Sequence, residues 1–578
     1  MSFTRRAFPM GHKDRSVHLA TVSGVASTKP EIIRWMEKHG VPFDIFTTKS
    51  YQVRPNPGNR EPVICETGPG HFGNSVGLRN PGMDVAFPQL QKLREDGLKG
   101  WLNVSVSADN PDDFATLVKR FDSLADSIEL NFSCPHAKSG YGASIGMDKD
   151  IASDYVRRIC ALYPERQSLL FVKLTPNVDN IGEIAKAVID AGADGISAIN
   201  TVGPVTHIDP ASGQSILNSA KGGKGGKSGL WVREIALKAV KEIRQSVGDD
   251  VPVIGMGGIW GGADCAAMIE AGADAVGIGS VLAHVGQPYW HSFLNAVSYE
   301  AEAILNGDGE IIETTSSNFI SKGNLMEYKP FKVIRKVLHS PDTVLLTLDG
   351  SMNDFHAGEF VFLWIPGIGE KPFSVAKTEP LTFIIKKRGQ FTQAVFDTLK
   401  EGDSIYLRGP YGDAVIMPDA KKAIIICGGT GEAVALPLAN DLSGRHISMS
   451  FLVGTSVDGN RGILEKELSA FGPYRCISDS GKPGRVLDSL DSVVSQATSS
   501  GTALADIVFC LIGPEIFMKI ASDRICSLGV QPDMVMLSME KNSMCGVGLC
   551  GECSCGGTMT CQYGTFMNLS FLRKENVL

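Results

Sequence analysis

Short apolar runs alternate with amphipathic stretches through the first half of the chain. FVKL (171–174), GISAIN (195–200), VPVIGMGG (251–258) and AVGIG (275–279) are hydrophobic runs of strand length. Such runs suit strands buried on both faces, as in a parallel sheet. Between them, IGEIAKAVIDAG (181–192) and WVREIALKAVKEIRQSV (231–247) repeat apolar residues every three or four positions. That spacing predicts helices with one buried face. Repeated strand-then-helix units over residues 1–312 predict an α/β fold, a (β/α)8 TIM barrel, with a doubly wound open sheet as the competitor.

The pattern changes after residue 312. Residues 313–328 are polar and unpatterned, and read as a linker. Over 329–418, short strands follow at close spacing, including TVLLTLDG, EFVFLWIP and SIYLRGPYG. They predict a small antiparallel β-barrel. Residues 419–530 return to strand, Gly-rich turn and helix, beginning with KKAIIICGGTGEAVALPLA (421–439). That order predicts an α/β nucleotide-binding lobe. The last segment, 531–578, carries clustered cysteines. The glycine-dense loop KGGKGGKSG (221–229) reads as too pliable to be rigid without a ligand.

Charge narrows the partners. With 55 Lys and Arg against 63 Asp and Glu, the net charge is -8 and no basic block stands out. Nucleic acid is therefore not the expected partner. No apolar run reaches membrane-spanning length, and the N-terminus lacks the apolar middle of an export signal, so the cytoplasm is the expected compartment. Thiols stay reduced there. The 13 cysteines are then read for chemistry, and five of them fall in the 17 residues from Cys545 to Cys561.

Cys545, Cys550, Cys553 and Cys561 carry a C-x4-C-x2-C core with a fourth thiol beyond. Four thiolates at this spacing can hold a [2Fe–2S] cluster, and intervening glycines let the backbone wrap closely. A structural zinc knot is the competing reading, and Cys555 could replace Cys561 as fourth ligand. Gly428, Gly429, Thr430 and Gly431 form a strand-to-helix turn of the kind whose N–H groups meet a pyrophosphate. In the first half, Asn131 ends a strand and Cys134 follows on a polar turn. A thiolate there can remove a C–H proton beside a carbonyl if a flavin takes the hydride.

These segments resemble known families. LNFSCP, with TKS (48–50), NSVGLRNPG (74–82), VKLTPN (172–177), INT (199–201) and GGI (257–259), resembles the dihydroorotate dehydrogenase barrel over most of residues 15–290. Lys371-Pro372-Phe373-Ser374 resembles the Arg-x-Tyr/Phe-Ser/Thr motif of ferredoxin-reductase flavin barrels, with Lys in place of Arg. Lys387, Gly389 and Thr392 lie in a segment similar to the one that receives the FAD pyrophosphate. Gly513-Pro514 resembles the Cys-Gly-Pro end of reductase lobes, with Ile512 replacing the Cys. The C-terminal cysteines resemble the plant-type ferredoxin spacing, with the fourth cysteine nearer. Together the chain resembles a class 1B dihydroorotate dehydrogenase whose catalytic barrel is fused to its FAD and [2Fe–2S] electron-transfer subunit.

The resemblance implies roles. Cys134 would be the base at C5 of dihydroorotate, and Lys49 would touch both substrate and FMN. Asn74, Asn131, Asn200, Thr201 and His136 would bind the ring, and the Gly77 and Leu78 backbone its carboxylate. Ser23, Gly24, Asn131, Lys173, Gly229, Gly257, Gly258, Gly279 and Ser280 would hold FMN. Electrons would pass from FMN to the [2Fe–2S] cluster, to FAD and to NAD+, in de novo pyrimidine biosynthesis, by a homodimer joined through the barrel. Two departures favour alternatives. His136 stands where Asn is usual, as in dihydropyrimidine dehydrogenase, and KGGKGGKSG replaces the usual GGLSG. An NAD(P)H-dependent uracil, thymine or enone reductase and an electron-transfer scaffold are the competing functions. NAD and NADP stay undistinguished.

Overall fold

The computed structural model describes residues 7–133, 145–219, 222–307, 315–455, 461–478, 486–499 and 501–578. The chain divides into two compact units, residues 1–327 with 547–557, and residues 328–546 with 558–578.

The first unit contains a closed parallel barrel, which settles the choice against an open sheet. Its eight strands are β1 (Leu19–Thr21), β2 (Ile45–Thr47), β5 (Trp101–Val106), β6 (Ser127–Asn131), β7 (Leu169–Lys173), β8 (Gly195–Ala198), β11 (Val253–Met256) and β12 (Ala275–Ile278). The intervening β3 (Ile64–Gly68), β4 (His71–Asn74), β9 (Val202–Thr206) and β10 (Lys224–Gly229) form a separate four-stranded sheet in the order β3-β4-β10-β9. Apart from the half-buried Leu169 that opens β7, every barrel strand reads as an unbroken buried run because both faces are covered.

Apolar side chains fill the end of the barrel where the strands begin. Phe8 packs there on Trp101 and Phe171, with ring centroids 5.3 and 5.1 Å apart, beside Ile45 and Ala275. Trp101, Ile45 and Ala275 each open a strand, so this plug leaves the opposite, carboxyl end for chemistry.

Two segments differ from expectation. Lys224–Gly229, within the supposedly pliable loop, is a strand, in continuous register with β4 and with a register shift against β9. Its glycines admit close neighbours: a Cβ on Gly225 would lie 2.5 Å from the Asn74 carbonyl, and one on Gly229 would lie 2.0 Å from that of Gly70. Glycine here permits strand approach and does not loosen the chain. The stretch read as a linker is likewise fastened to the first unit from residue 315 to 327. Ser316 is buried, and its N–H donates to Glu300 Oε1 at 2.6 Å. Leu325 N–H donates to the buried Glu66 Oε2 at 2.6 Å. Polar composition concealed these anchors because each uses a backbone donor.

The second unit begins with seven antiparallel strands, β13 (Lys329–Ser340), β14 (Thr343–Leu348), β15 (Phe360–Ile365), β16 (Gly369–Phe373), β17 (Lys377–Thr378), β18 (Leu381–Lys386) and β19 (Ser404–Tyr411). Their order is β16-β15-β19-β13-β14-β18-β17. The long β13 is shared, pairing with β19 through Lys329–Lys332 and with β14 from Val333 onward.

A second sheet follows, with parallel β20 (Lys422–Gly428), β21 (Ser448–Thr455), β22 (Tyr474–Ser478), β23 (Ile507–Ile512) and β24 (Val535–Ser538) in the order β22-β21-β20-β23-β24. An antiparallel strand, Phe566–Asn568, closes its edge. The chain first adds strands on one side of β20 and then crosses to the other. The gap between the carboxyl ends of β20 and β23 is thus the topological switch point, where open α/β sheets take ligands.

Candidate active site

One pocket opens at the carboxyl end of the barrel strands. Ser23 and Gly24 follow β1, Lys49 and Ser50 follow β2, Asn131 ends β6, and Lys173 ends β7. Asn200 and Thr201 follow β8, Gly257 and Gly258 follow β11, and Gly279 and Ser280 follow β12. Asn74 at the end of β4, Gly77, Leu78 and Gly229 complete the side formed by the smaller sheet. Every FMN- or ring-binding residue expected from the sequence therefore lines this one pocket, except His136. His136 and the expected base Cys134 lie outside the described residues.

Hydrogen bonds fix the asparagines. Asn131 Nδ2 donates to Ser50 Oγ at 3.0 Å, while its Oδ1 accepts the Ser133 hydroxyl at 3.1 Å. The same Ser133 hydroxyl accepts from Asn200 Nδ2 at 2.7 Å. Asn200 Oδ1 accepts the N–H of Thr201 at 2.8 Å, so its amide orientation is set from both ends. Ser50 is itself held by Ser23 at 3.1 Å and Ser105 at 2.9 Å. Ser105 in turn donates to the buried carboxylate of Glu129 at 2.9 Å. Buried amides tied in this way present one fixed face to a ligand.

Lys49 and Lys173 are both buried, at 9% and 4% exposure. Gly24 makes room for the first: its φ is +83°, and a Cβ there would lie 3.0 Å from Lys49 Nζ. No Asp or Glu is found among the described residues that line the pocket. It is a cationic, amide-walled cleft.

Sequence reasoning assigned no role to several residues on or behind the pocket wall. Ser50 and Ser133 are small hydroxyls with no periodic signal of their own. Phe72 and Trp260 add aromatic wall. Leu549 also lines the pocket, although it lies next to Cys550 near the C-terminus. Its segment is built into the first unit. Leu549 accepts the N–H of Ala26 at 2.9 Å, and Lys29 Nζ donates to the Glu552 carbonyl at 2.7 Å. Gln287 donates to the Gly557 carbonyl at 2.7 Å.

In the second unit, Lys371, Pro372 and Phe373 lie in β16, and Ser374 follows it. Gly389 precedes the helix Gln390–Asp397. Thr392 Oγ1 accepts the N–H groups of Arg388 and Gly389, at 2.9 and 3.0 Å, so the hydroxyl is spent on capping. Lys387 rests 5.3 Å from the centroid of Phe396. At the switch point, Gly428 ends β20 and Gly429 to Gly431 follow it, while Gly513 and Pro514 follow β23. A Cβ on Gly513 would lie 3.3 Å from Gly428 Cα, and one on Gly431 would lie 2.8 Å from the Ile512 carbonyl. The two turns approach closely because both lack side chains. Glu432, the next residue, is buried and accepts from Ile463 N–H at 2.6 Å and Tyr474 hydroxyl at 2.8 Å. Burial pushes its carboxyl above the usual range.

Cys545, Cys550, Cys553, Cys555 and Cys561 are all buried, at 5% exposure or less. Gly546, Gly548 and Gly551 have φ of +82°, +75° and +68°. Among the described residues, no three His, Cys, Asp or Glu side chains gather around a single ion site. A two-iron cluster takes two thiolates at each iron, so its requirement is pairs of cysteines. No described helix is long and apolar enough to cross a membrane.

A closed parallel barrel with a cationic pocket at its carboxyl end is the arrangement of a (β/α)8-barrel enzyme. The family model for dihydroorotate dehydrogenase matches residues 14–298, and the chain belongs to that family. It is 39% identical over 261 residues, 45% of this chain and 81% of the relative, to the catalytic subunit of dihydroorotate dehydrogenase B (NAD(+)) from Methanocaldococcus jannaschii. The corresponding subunit from Pyrococcus abyssi is 38% identical over 264 residues, 46% of this chain and 83% of the relative.

Proposed function

We propose that the chain oxidises dihydroorotate to orotate in the barrel pocket and delivers the electrons to NAD+ through its second half. One observation carries this reading: residues scattered from Ser23 to Ser280 meet in a single cationic pocket, whose wall also includes Leu549 from the cysteine segment. The described residues fit FMN. Gly257 and Gly258, with φ of +129° and +76°, and Gly279 bring bare backbone to the ends of β11 and β12, as a phosphate requires. The two buried lysines offset the negative charge of the cofactor.

Asn74, Asn131 and Asn200 offer both donors and acceptors to an imide ring. Gly77 and Leu78, both at positive φ, turn their backbone toward its carboxylate. Cys134 removes the C5 proton, and Lys49 holds the ring against the cofactor. Lys173 places its charge where electron density accumulates. Lys371 to Ser374 with Lys387, Gly389 and the backbone at Thr392, whose hydroxyl caps the helix, form the FAD site, and the paired glycine turns at Gly428–Gly431 and Gly513–Pro514 the NAD site. Cys545, Cys550, Cys553 and Cys561 supply four thiolates for a [2Fe–2S] cluster, in a C-x4-C-x2-C core with a fourth thiol beyond. When bound, the flavins exchange electron pairs and the cluster relays them singly. Anaerobic addition of dihydroorotate is expected to bleach the flavin, whereas dihydrouracil leaves it oxidised. Bleaching by dihydrouracil alone would transfer the assignment to a uracil-type reductase.

A further inference from the structure

Glu129 lies in β6 two residues before the pocket residue Asn131, on the same face of the strand and one layer deeper in the barrel. It is fully buried. Ser105, opposite it on β5, donates to its Oε1 at 2.9 Å. Its Oε2 has no hydrogen-bond partner among the described residues. Ser105 is thus the carboxyl's single hydrogen-bonded link, and that link leads outward. Ser105 Oγ lies 2.9 Å from Ser50 Oγ, which lies 3.1 Å from Ser23 Oγ. Ser50 and Ser23 both line the pocket, the first buried and the second half-buried.

Each hydroxyl has a single proton to donate. The Ser105 proton goes to Glu129, so Ser50 donates to Ser105, and Ser23 to Ser50. All three point inward to the carboxylate, and Ser23 turns lone pairs toward the pocket. A proton accepted at Ser23 moves inward as each serine hands on its own: one O–H bond breaks and one forms at every serine, and the last forms at Glu129. The chain then runs the other way, with Glu129 donating to Ser105. Asn131 Nδ2 donates to Ser50 in either direction, because Ser50 keeps a lone pair for it. On the flanking strands, the residues sharing this face are Asn103 and Ser105 of β5 and Leu169, Phe171 and Lys173 of β7. Lys173, opposite Asn131, is the one charged group among them, and Lys49 after β2 is a second cation at the pocket. A hydride delivered into the pocket adds a negative charge above Glu129. A carboxylate one layer below repels that charge, and a proton on Glu129 removes the repulsion.

We propose that Glu129 takes up a solvent proton through Ser23, Ser50 and Ser105 when the cofactor in the pocket is reduced, and returns it when the electrons leave. The inference rests on FMN as the occupant of this pocket and is independent of which pyrimidine reduces it. The test uses the full-length holoprotein and its Glu129→Gln and Ser105→Ala variants. Each is reduced anaerobically with dithionite, and infrared difference spectra in H2O and D2O are followed with flavin bleaching and FMN content. In the unsubstituted protein, reduction is expected to raise the carbonyl stretch of a protonated carboxylic acid, in step with bleaching and shifted in D2O. Glu129→Gln keeps its FMN and lacks the band. Ser105→Ala keeps both the carboxyl and FMN, but its band lags behind bleaching because the link is cut. No such band in the unsubstituted protein, the same band in Glu129→Gln, or an undelayed band in Ser105→Ala would each overturn the proposal. Where Glu129→Gln does not fold, the lag in Ser105→Ala decides. If the unsubstituted protein binds no FMN, the FMN reading fails first, and this proposal with it. Failure of dihydroorotate alone to bleach the flavin would sink the substrate reading and leave this result standing.

Discussion

Ala26 donates its backbone N–H to the carbonyl of Leu549 at 2.9 Å, joining the turn after β1 to a segment more than five hundred residues later. Ala26 is fully buried and adopts φ of +56°, a conformation unusual for a residue with a side chain. The geometry carries Leu549 into the pocket wall. Leu549→Ala is expected to cost about 2–5 kcal/mol and to release FMN at lower urea. Flavin fluorescence during urea unfolding checks this, and an unshifted release midpoint contradicts the wall assignment.

Ser133 links two asparagines, donating to Asn131 and accepting from Asn200. Ser133→Ala removes one partner from each amide, leaving Asn131 the Ser133 N–H and Asn200 the Ser133 carbonyl. Orotate affinity should fall about tenfold, with a stability loss of about 1–3 kcal/mol. Spectral titration and chemical denaturation measure the two effects. A large stability loss with unchanged affinity would make the bridge purely structural.

Arg408 and Glu370 form a fully buried pair in the second unit, with contacts of 2.6 and 3.0 Å. Arg408 also donates to the Cys545 carbonyl at 2.6 Å and stacks 3.8 Å from the Phe362 centroid. Arg408→Met strands a buried carboxylate and should cost about 3–5 kcal/mol. The double variant with Glu370→Met should regain much of that stability. Iron content is expected to stay low in both, because the backbone at Cys545 loses its donor. Full iron content in the double variant would contradict this.

His356 pairs with Asp441 at 3.0 Å, and this hydrogen bond raises its pKa. A raised histidine stabilises fully below its unfolded value of about 6.5, and the contribution fades as pH rises through the folded value. The pair is half exposed, so it contributes at most about 1 kcal/mol. His356→Ala should therefore lower the melting temperature in mildly acidic buffer and leave it unchanged in alkaline buffer. Equal loss in both would contradict the pairing.

Much of the pocket was legible because chemistry in a parallel barrel sits at strand ends. Lys173 and Asn131 end apolar runs, and the glycines after β11 and β12 follow others. Ser50 and Ser133 were not legible, since an isolated hydroxyl carries no pattern and gains meaning only beside its amide. Leu549 could not be placed by any local signal, because its role depends on contacts with Ala26 across the whole chain. Lys224–Gly229 misled in the opposite sense: glycine density resembled slack, yet it reflects strands packed too closely for side chains.

The most direct test mixes purified protein anaerobically with dihydroorotate and NAD+ and counts NADH formed against dihydroorotate consumed. The account predicts one NADH for each dihydroorotate in the unsubstituted protein, and flavin bleaching with little NADH in Cys550→Ser. Undiminished NADH formation by Cys550→Ser, or no NADH from the unsubstituted protein, would contradict it.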